Sequence, residues 1–336
     1  MKNKNKQKDC KIKTSFTAGT ISNYSGILPI YKFMLKLGIV SKFESISLKL
    51  GQNASYRTST ILSTVILGII SGLNRLSKME TFSHDPLTRE LLSIKDKIDE
   101  DTISNRFKKF GMKQNNELME ISGSISSKVR EKLKVSYDIL DLDSTARTVY
   151  GRQEGALVGY NPHKKGARSY HPLLGFLNST RECILSWLRP GDSFTANNSS
   201  EFVKQIFSML PINMSLLVRT DSGFFDDKLM QVIEMRKHTS YIIKVKLKGL
   251  RTLLTEQNWS SIPEMPNWSM TEFQYKAKDW SCPRKFVAMR HKTSETKEGR
   301  LFKHSTMAKY RNRNRDFRIC VGIFQSKNKK NGGLIS

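Results

Sequence analysis

The stretch that most limits what this chain can fold into is ILDLDSTARTVYG, residues 139–151. Apolar and acidic residues alternate there with a period of two, the signature of a strand rather than a helix. Leu140 and Leu142 face one way, and Ile139, Asp141 and Asp143 the other. On that shared face Asp141 and Asp143 stand roughly 7 Å apart. A turn-forming Ser144 and a β-branched Thr145 follow. Carboxylates near the end of an apolar strand are costly to bury without a partner. They imply a balancing cation, usually a metal ion. The expectation is a sheet that brings a second carboxylate to this point.

Charge narrows the choice of partner. Lysine and arginine number 57 against 30 acids, a formal charge of +27, which calls for a polyanion: DNA, RNA or an anionic membrane. At 336 residues, 38% hydrophobic and 26% charged, the chain is globular and long enough for two or three domains. Its one long apolar run, ILSTVILGIISGL at 61–73, has 13 residues and is too short to span a bilayer. The basic segment 2–13 is not followed by the apolar core of a cleavable signal. Cys10, Cys183, Cys282 and Cys320 are far apart with no CxxC, so reduced thiols and a cytoplasmic location are expected. The six histidines lack HxxxH or HxH spacing, which argues against a zinc site.

Residues 1–135 are expected to form a helical domain. Thr58, Ser59 or Thr60 caps a helix whose apolar row is Ile61, Leu62, Val65, Ile66, Ile69, Ile70 and Leu73. Asp85 caps the next, with Pro86 in its first turn. Asp101 or Thr102 caps another, with Ile103, Phe107 and Phe110 on one face and Arg106, Lys108 and Lys109 outside it. That short basic helix fits helix-turn-helix DNA reading, and equally an ordinary solvated face. Leu118, Ile121, Ile125, Val129 and Leu133 mark a longer amphipathic helix.

From Tyr137 the pattern changes to strand hairpins, a helix at 198–210, a strand at 215–220 ending on Asp221, a helix capped by Asp226 and Asp227, and a strand in SYIIKVK. This is a mixed α/β sheet over 136–250. Chemistry in such sheets collects at the carboxyl ends of strands, where Asp143 and Asp221 both lie. Residues 251–336 read as a basic, β-rich region. Trp259, Trp268 and Trp280 punctuate it, RKFVAMRH reads as a strand, and residues 284–330 carry fifteen lysines and arginines against three acids.

Three stretches, LDLDST at 140–145, YGRQEGALVGYNPHKKGARSYHPLLGF at 150–176 and VRTDSGF at 218–224, resemble the DDE transposases of bacterial insertion sequences. HDPL and DTISNR resemble the N-terminal region of the same group. The resemblance implies an RNase H-like sheet with a β-rich insertion, and DNA strand cleavage and strand transfer at transposon ends. It implies two Asp and one Glu holding two Mg²⁺ (or Mn²⁺) ions, double-stranded DNA as partner, and a homodimer in a synaptic complex associated with the bacterial nucleoid. Carried over by motif, Asp143 is the first acid and Asp221 the second, with Asp141 the alternative for the first position. Lys164, Lys165, Arg168 and His171 of the 160–171 loop, and Arg219 beside the second acid, are the candidate DNA contacts.

The third acid departs from the family pattern Tyr-x2-Arg-x3-Glu-x6-Lys. Tyr310 and Arg313 fit, but Phe317 stands in the Glu place and Phe324 in the Lys place, and Asp316 is one residue out of register. No third acid is identified. The expectation is a chain stopping within or just after the insertion, by truncation or frameshift. That leaves three functional readings: an active transposase, an inert DNA-binding remnant that regulates transposition, or a generic basic nucleic-acid binder. Replacing Asp143 and Asp221 separates the first from the last.

Overall fold

A computed structural model describes residues 21–52, 54–292 and 317–325, with side chains for 21–52 and 54–291. The chain divides into two compact units, Met1–Ile125 and Ser126–Ser336.

The first unit holds helices α1 (Ile27–Lys36), α2 (Ile39–Glu44), α3 (Thr58–Ile70), α4 (Leu76–His84), α5 (Pro86–Leu92) and α6 (Glu100–Phe107), and the start of α7 (Met112–Lys132). Ile61, Leu67, Phe82, Ile98 and Ile103 form its fully buried centre. Asp85 caps α5 as its sequence predicts, its carboxylate accepting from the Leu87 and Thr88 amides with Pro86 in the first turn. Three expectations need correction. No hydroxyl of 58–60 caps α3; Arg57 holds the cap position, and the Thr58 hydroxyl instead accepts from Arg106 at 3.0 Å. Arg106, read as lying off the apolar face, is buried and also donates to the Tyr56 carbonyl, so it cannot read DNA. Asp101 sits in the first turn of α6 behind Asp99, where an acid favours the helix dipole, instead of capping. The apolar row of α3 leaves the core at its end, with Ile69 and Ile70 more than half exposed.

The second unit is built on one nine-stranded sheet. Its strands are β1 (Tyr137–Ser144), β5 (Leu173–Leu177), β6 (Cys183–Trp187), β7 (Ser215–Thr220), β8 (Thr239–Lys244), β9 (Ser260–Ser261), β10 (Trp268–Tyr275), β11 (Arg284–Lys292) and β12 (Phe317–Gln325), in the order β6-β5-β1-β7-β8-β12-β11-β10-β9. A separate small sheet, β2-β4-β3, is made of β2 (Arg147–Thr148), β3 (Leu157–Val158) and β4 (Arg168–Tyr170). β1 runs parallel to β7 and β7 to β8, while β5 and β6 pair antiparallel. This is the mixed α/β sheet that the pattern of strands and helices predicts.

Period-two patterning builds the centre: Leu140 and Leu142 of β1, Leu216 and Val218 of β7, and Tyr241 and Ile243 of β8 are buried. Helices α8 (Ser199–Ser208) and α9 (Asp227–Met235) lay Phe202, Val203, Ile206, Leu229, Met230 and Ile233 into that core, each fully buried. Strands β9 to β12, which follow helix α10 (Leu250–Thr255), pair antiparallel. Strand β12 pairs with both β11 and β8 and so continues the central sheet. Among the described residues, no helix is long and apolar enough to cross a membrane.

Candidate active site

β1 and β7 fix the two candidate acids. The β1–β7 register ends at Leu142↔Thr220, so Asp143 and Asp221 each follow directly at the carboxyl ends of two adjacent parallel strands. Asp221 remains extended (φ −82°, ψ −177°), so the alternation carries through and both side chains point away from buried Leu142 and Thr220. Both acids are exposed. One oxygen of each is used locally: Asp143 Oδ1 accepts from the Ser144 amide at 2.8 Å, and Asp221 Oδ1 from the Gly223 amide at 2.9 Å, capping a 3₁₀ turn over Ser222–Phe224. Among the described residues, neither acid has a cationic partner.

Asp141, two residues earlier on the same face, differs. Arg219, its register partner, donates to both oxygens, Nε to Oδ1 at 2.6 Å and Nη2 to Oδ2 at 2.8 Å. That bond raises Arg219 above its ordinary pKa. A carboxylate so engaged is a poor metal ligand, and the alternative first acid is thereby disfavoured. The same bond holds Arg219, a candidate DNA contact, against the sheet.

The two carboxylates suit a hard divalent ion. Magnesium takes one or two carboxylates plus water and phosphate oxygens, and Asp143 and Asp221 each keep one oxygen free for such a role. Among the described residues no three His, Cys, Asp or Glu gather into a metal-holding group. Tyr310, Arg313 and Asp316 of the third-acid pattern lie outside the described residues, while Phe317, in the Glu place, opens strand β12 rather than a helix.

A cavity of about 810 Å³ adjoins Asp221, with Ser144, Tyr160, His171, Phe194 and Lys246 in its lining. Asp143 does not line it, but its neighbour Ser144 does, bonded to Thr195 at 2.9 Å. Lys164, Lys165 and Arg168 are exposed, and the Lys164 ammonium lies 4.8 Å from the Tyr150 ring centre. His171 is a correction: it is 7% exposed and its Nδ1 donates to the Ser193 carbonyl at 2.6 Å, so it anchors a loop rather than reaching phosphate.

Sequence reasoning missed Arg189, two residues past the end of β6. It is buried, donating to the carbonyls of His171, Phe194 and Asn197 at 3.1, 3.0 and 2.7 Å, and burial pushes it below its ordinary pKa. An arginine before Pro-Gly carries no signal of such a role. Asn161, also missed, did have one, since Asn-Pro favours a turn.

A family model described as Transposase DDE domain group 1 matches residues 4–311. Among solved structures the chain is similar to a piggyBac transposase synaptic complex with hairpin DNA, at 11% identity and a TM-score of 0.43, over 91% of this chain and 62% of that one. It is similar to a Mos1 transposase paired-end complex with left transposon end at 10% identity and a TM-score of 0.23, over 58% of this chain and 59% of that one. A Mos1 mariner paired-end complex with Mn is similar at 12% identity and a TM-score of 0.22, over 63% and 65%. The chain thus spans less than two thirds of the length of each of these structures. No curated protein matches it. With the family model covering most of the sequence, the chain belongs to the DDE transposases of domain group 1.

Proposed function

We propose that this chain cleaves and transfers DNA strands at the ends of its own mobile element, using Asp143 and Asp221 to hold divalent magnesium or manganese. One observation carries the reading: two acids stand at neighbouring strand tips, exposed and without a cationic partner among the described residues. Bound divalent metal would supply Lewis-acid stabilisation of the phosphodiester and activation of water or a 3′-hydroxyl. The protein's own part is placement. β1 and β7 fix the two carboxylates, the Ser144 and Gly223 amides orient them, and Lys164, Lys165 and Arg168 contact the DNA backbone beside them. Double-stranded transposon ends are the substrate, and a homodimer pairing two ends is the assembly.

The test is incubation of the purified chain with duplexes of its element's ends and Mg²⁺. Asp143→Asn and Asp221→Asn are expected to lose cleavage by roughly 10³-fold or more, the scale of metal-borne charge stabilisation, while binding the duplex as before. Cleavage unchanged in both variants sinks the reading. Binding without cleavage by the unmodified chain would instead support the inert remnant.

A further inference from the structure

The ladder between β1 and β7 stops one residue short of both acids, at Leu142↔Thr220. β5 still pairs with Asp143 and Ser144, but the ladder between β7 and β8 also ends at Thr220. The Asp221 tip therefore projects beyond its ladders on both sides, and the sheet does not set its distance from Asp143. Two carboxylates that hold one ion must be placed to within about 0.5 Å. Side chains have to supply that precision.

Thr195 lies across the two tips. Its hydroxyl bonds the Ser144 hydroxyl at 2.9 Å, and the Ser144 amide donates to Asp143 at 2.8 Å. Its methyl side packs on Gly223, whose amide donates to Asp221 at 2.9 Å. A Cβ on Gly223 would lie 3.1 Å from Thr195 Cβ and 3.2 Å from Thr195 Cγ2. Packed carbons normally stand about 3.5–4.0 Å apart, so glycine lets the Asp221 turn close onto Thr195. Threonine suits the position because hydroxyl and methyl branch from one Cβ whose χ1 is stiff. In a single rotamer the hydroxyl serves β1 and the methyl serves β7.

The loop that carries Thr195 is fixed on either side of it. Buried Arg189 donates to the Phe194 and Asn197 carbonyls at 3.0 and 2.7 Å, and His171 Nδ1 bonds the Ser193 carbonyl at 2.6 Å. Among the described residues no carboxylate pairs with Arg189. A buried cation without one is costly to keep, and its effect here is a rigid seat for the Thr195 side chain.

We infer that Thr195 is a positioning residue: it sets the spacing of Asp143 and Asp221, and with it the affinity for the divalent ion they hold. It acts through Ser144 and Gly223 and bonds neither carboxylate. The inference rests on the reading of those two acids as the metal-holding pair.

The test is a thermal melt of the full chain, without DNA, over a titration of Mg²⁺ or Mn²⁺. The rise in Tm reports metal held by the folded chain, and the metal-free Tm reports the fold alone. Thr195→Val keeps the shape and the contact with Gly223 but removes the hydroxyl. It is expected to weaken metal binding roughly 10- to 100-fold, the range for loss of a group that orients a metal-holding side chain. Thr195→Ser keeps the hydroxyl and should restore most of that affinity. Ser144→Ala breaks the same bond, so its loss and that of Thr195→Val should not add in the double variant. Thr255→Val removes an exposed hydroxyl of α10 and should leave the titration unchanged.

A merely structural hydroxyl would lower the metal-free Tm and leave the metal response as it is. An unchanged titration in Thr195→Val, a Thr195→Ser variant as defective as Thr195→Val, or fully additive losses with Ser144→Ala overturns the inference. The Asp143→Asn, Asp221→Asn double variant separates the two readings. If it abolishes the rise in Tm while Thr195→Val retains it, only the role of Thr195 falls. If the unmodified chain shows no rise, or the rise survives loss of both acids, the acid reading falls and takes this one with it.

Discussion

The second unit contains two carboxylate clusters treated in opposite ways. Asp227 and Glu234 on α9 converge on Arg284 of β11, whose side chain is fully buried. Arg284 Nε donates to Glu234 at 2.7 Å, its Nη1 donates to Asp227, and Tyr241 donates to Glu234 at 2.6 Å. Burial alone would lower the Arg284 pKa, but Glu234 and Asp227 outweigh it and raise it. Burial and the Glu234 bond both push Tyr241 up. At the β1 and β7 tips, Asp143 and Asp221 have no such partner among the described residues, although Asp141, two residues back on β1, does. The α9 cluster is thus neutralised by a buried arginine, whereas the tip acids stay in water and have no cationic partner among the described residues. The difference teaches that the tip charge is not needed for folding and is left available for something outside the chain.

The largest effect tests the buried half. Arg284→Met strands two carboxylates against β11 and should cost about 3–5 kcal/mol, read as a fall in the urea midpoint. Replacing Glu234 and Asp227 with Gln and Asn as well should restore most of that loss, because the penalty is the uncompensated charge. Asp221→Asn keeps the oxygen that caps its turn and should change stability by less than about 0.5 kcal/mol. Equal costs for Arg284→Met and Asp221→Asn would break the contrast.

The next effect tests the exposed half. Mg²⁺ or Mn²⁺ that binds only the folded chain stabilises it by about 2.7 kcal/mol at a hundred times its Kd. That gain should appear as a rise in Tm, vanish in the Asp143→Asn, Asp221→Asn double variant, and survive in Asp227→Asn. A metal shift that disappears with Asp227 instead would place the ion in the wrong cluster.

Acidity separates the clusters again. Burial alone would raise the Asp227 carboxyl, but bonds from Arg284 and Gln231 overcome it and hold the group below its ordinary value. Its folded pKa is thus depressed relative to the unfolded chain, near 3.9. Its stabilisation is complete above that value and is lost as pH falls through the lower, folded one. The urea midpoint should therefore drop more steeply below about pH 4 in the unmodified chain than in Asp227→Asn.

How much of this was legible follows from the range of each signal. Strand β1, the turn after Asp221 and the Asp85 cap rest on residues next to one another, and the sequence showed them. The offset of 78 that sets Asp143 beside Asp221 was legible only through two motifs and a fold class, because register is a tertiary quantity. Arg106, read as lying off the apolar face, is buried, and so are Arg189 and Arg284, for which the sequence gives no sign of burial. A single arginine carries no periodicity, and its partners lie far away in sequence: Arg284 meets Glu234 across 50 residues. Strand β10 was missed because its tryptophan and polar residues give no clean alternation, and β12 because its apolar run sits among basic residues.

The smallest effect is the most discriminating, because it concerns two positions on the same strand. Asp141 and Arg219 form a two-bond pair, but their side chains are 32% and 44% exposed. Water screens such a pair, so a double-mutant cycle with Asp141→Asn and Arg219→Gln should give a coupling of only about 0.2–1 kcal/mol. If the pair only holds the sheet face, cleavage should fall in proportion to that small loss. If Asp141 were instead the first metal-holding acid, Asp141→Asn would abolish cleavage as fully as Asp221→Asn. Arg219→Gln, by freeing Asp141, would then increase metal affinity. A modest stability coupling with nearly intact metal response assigns the strand's two acids to different tasks: Asp141 to Arg219, and Asp143 to the cation from outside.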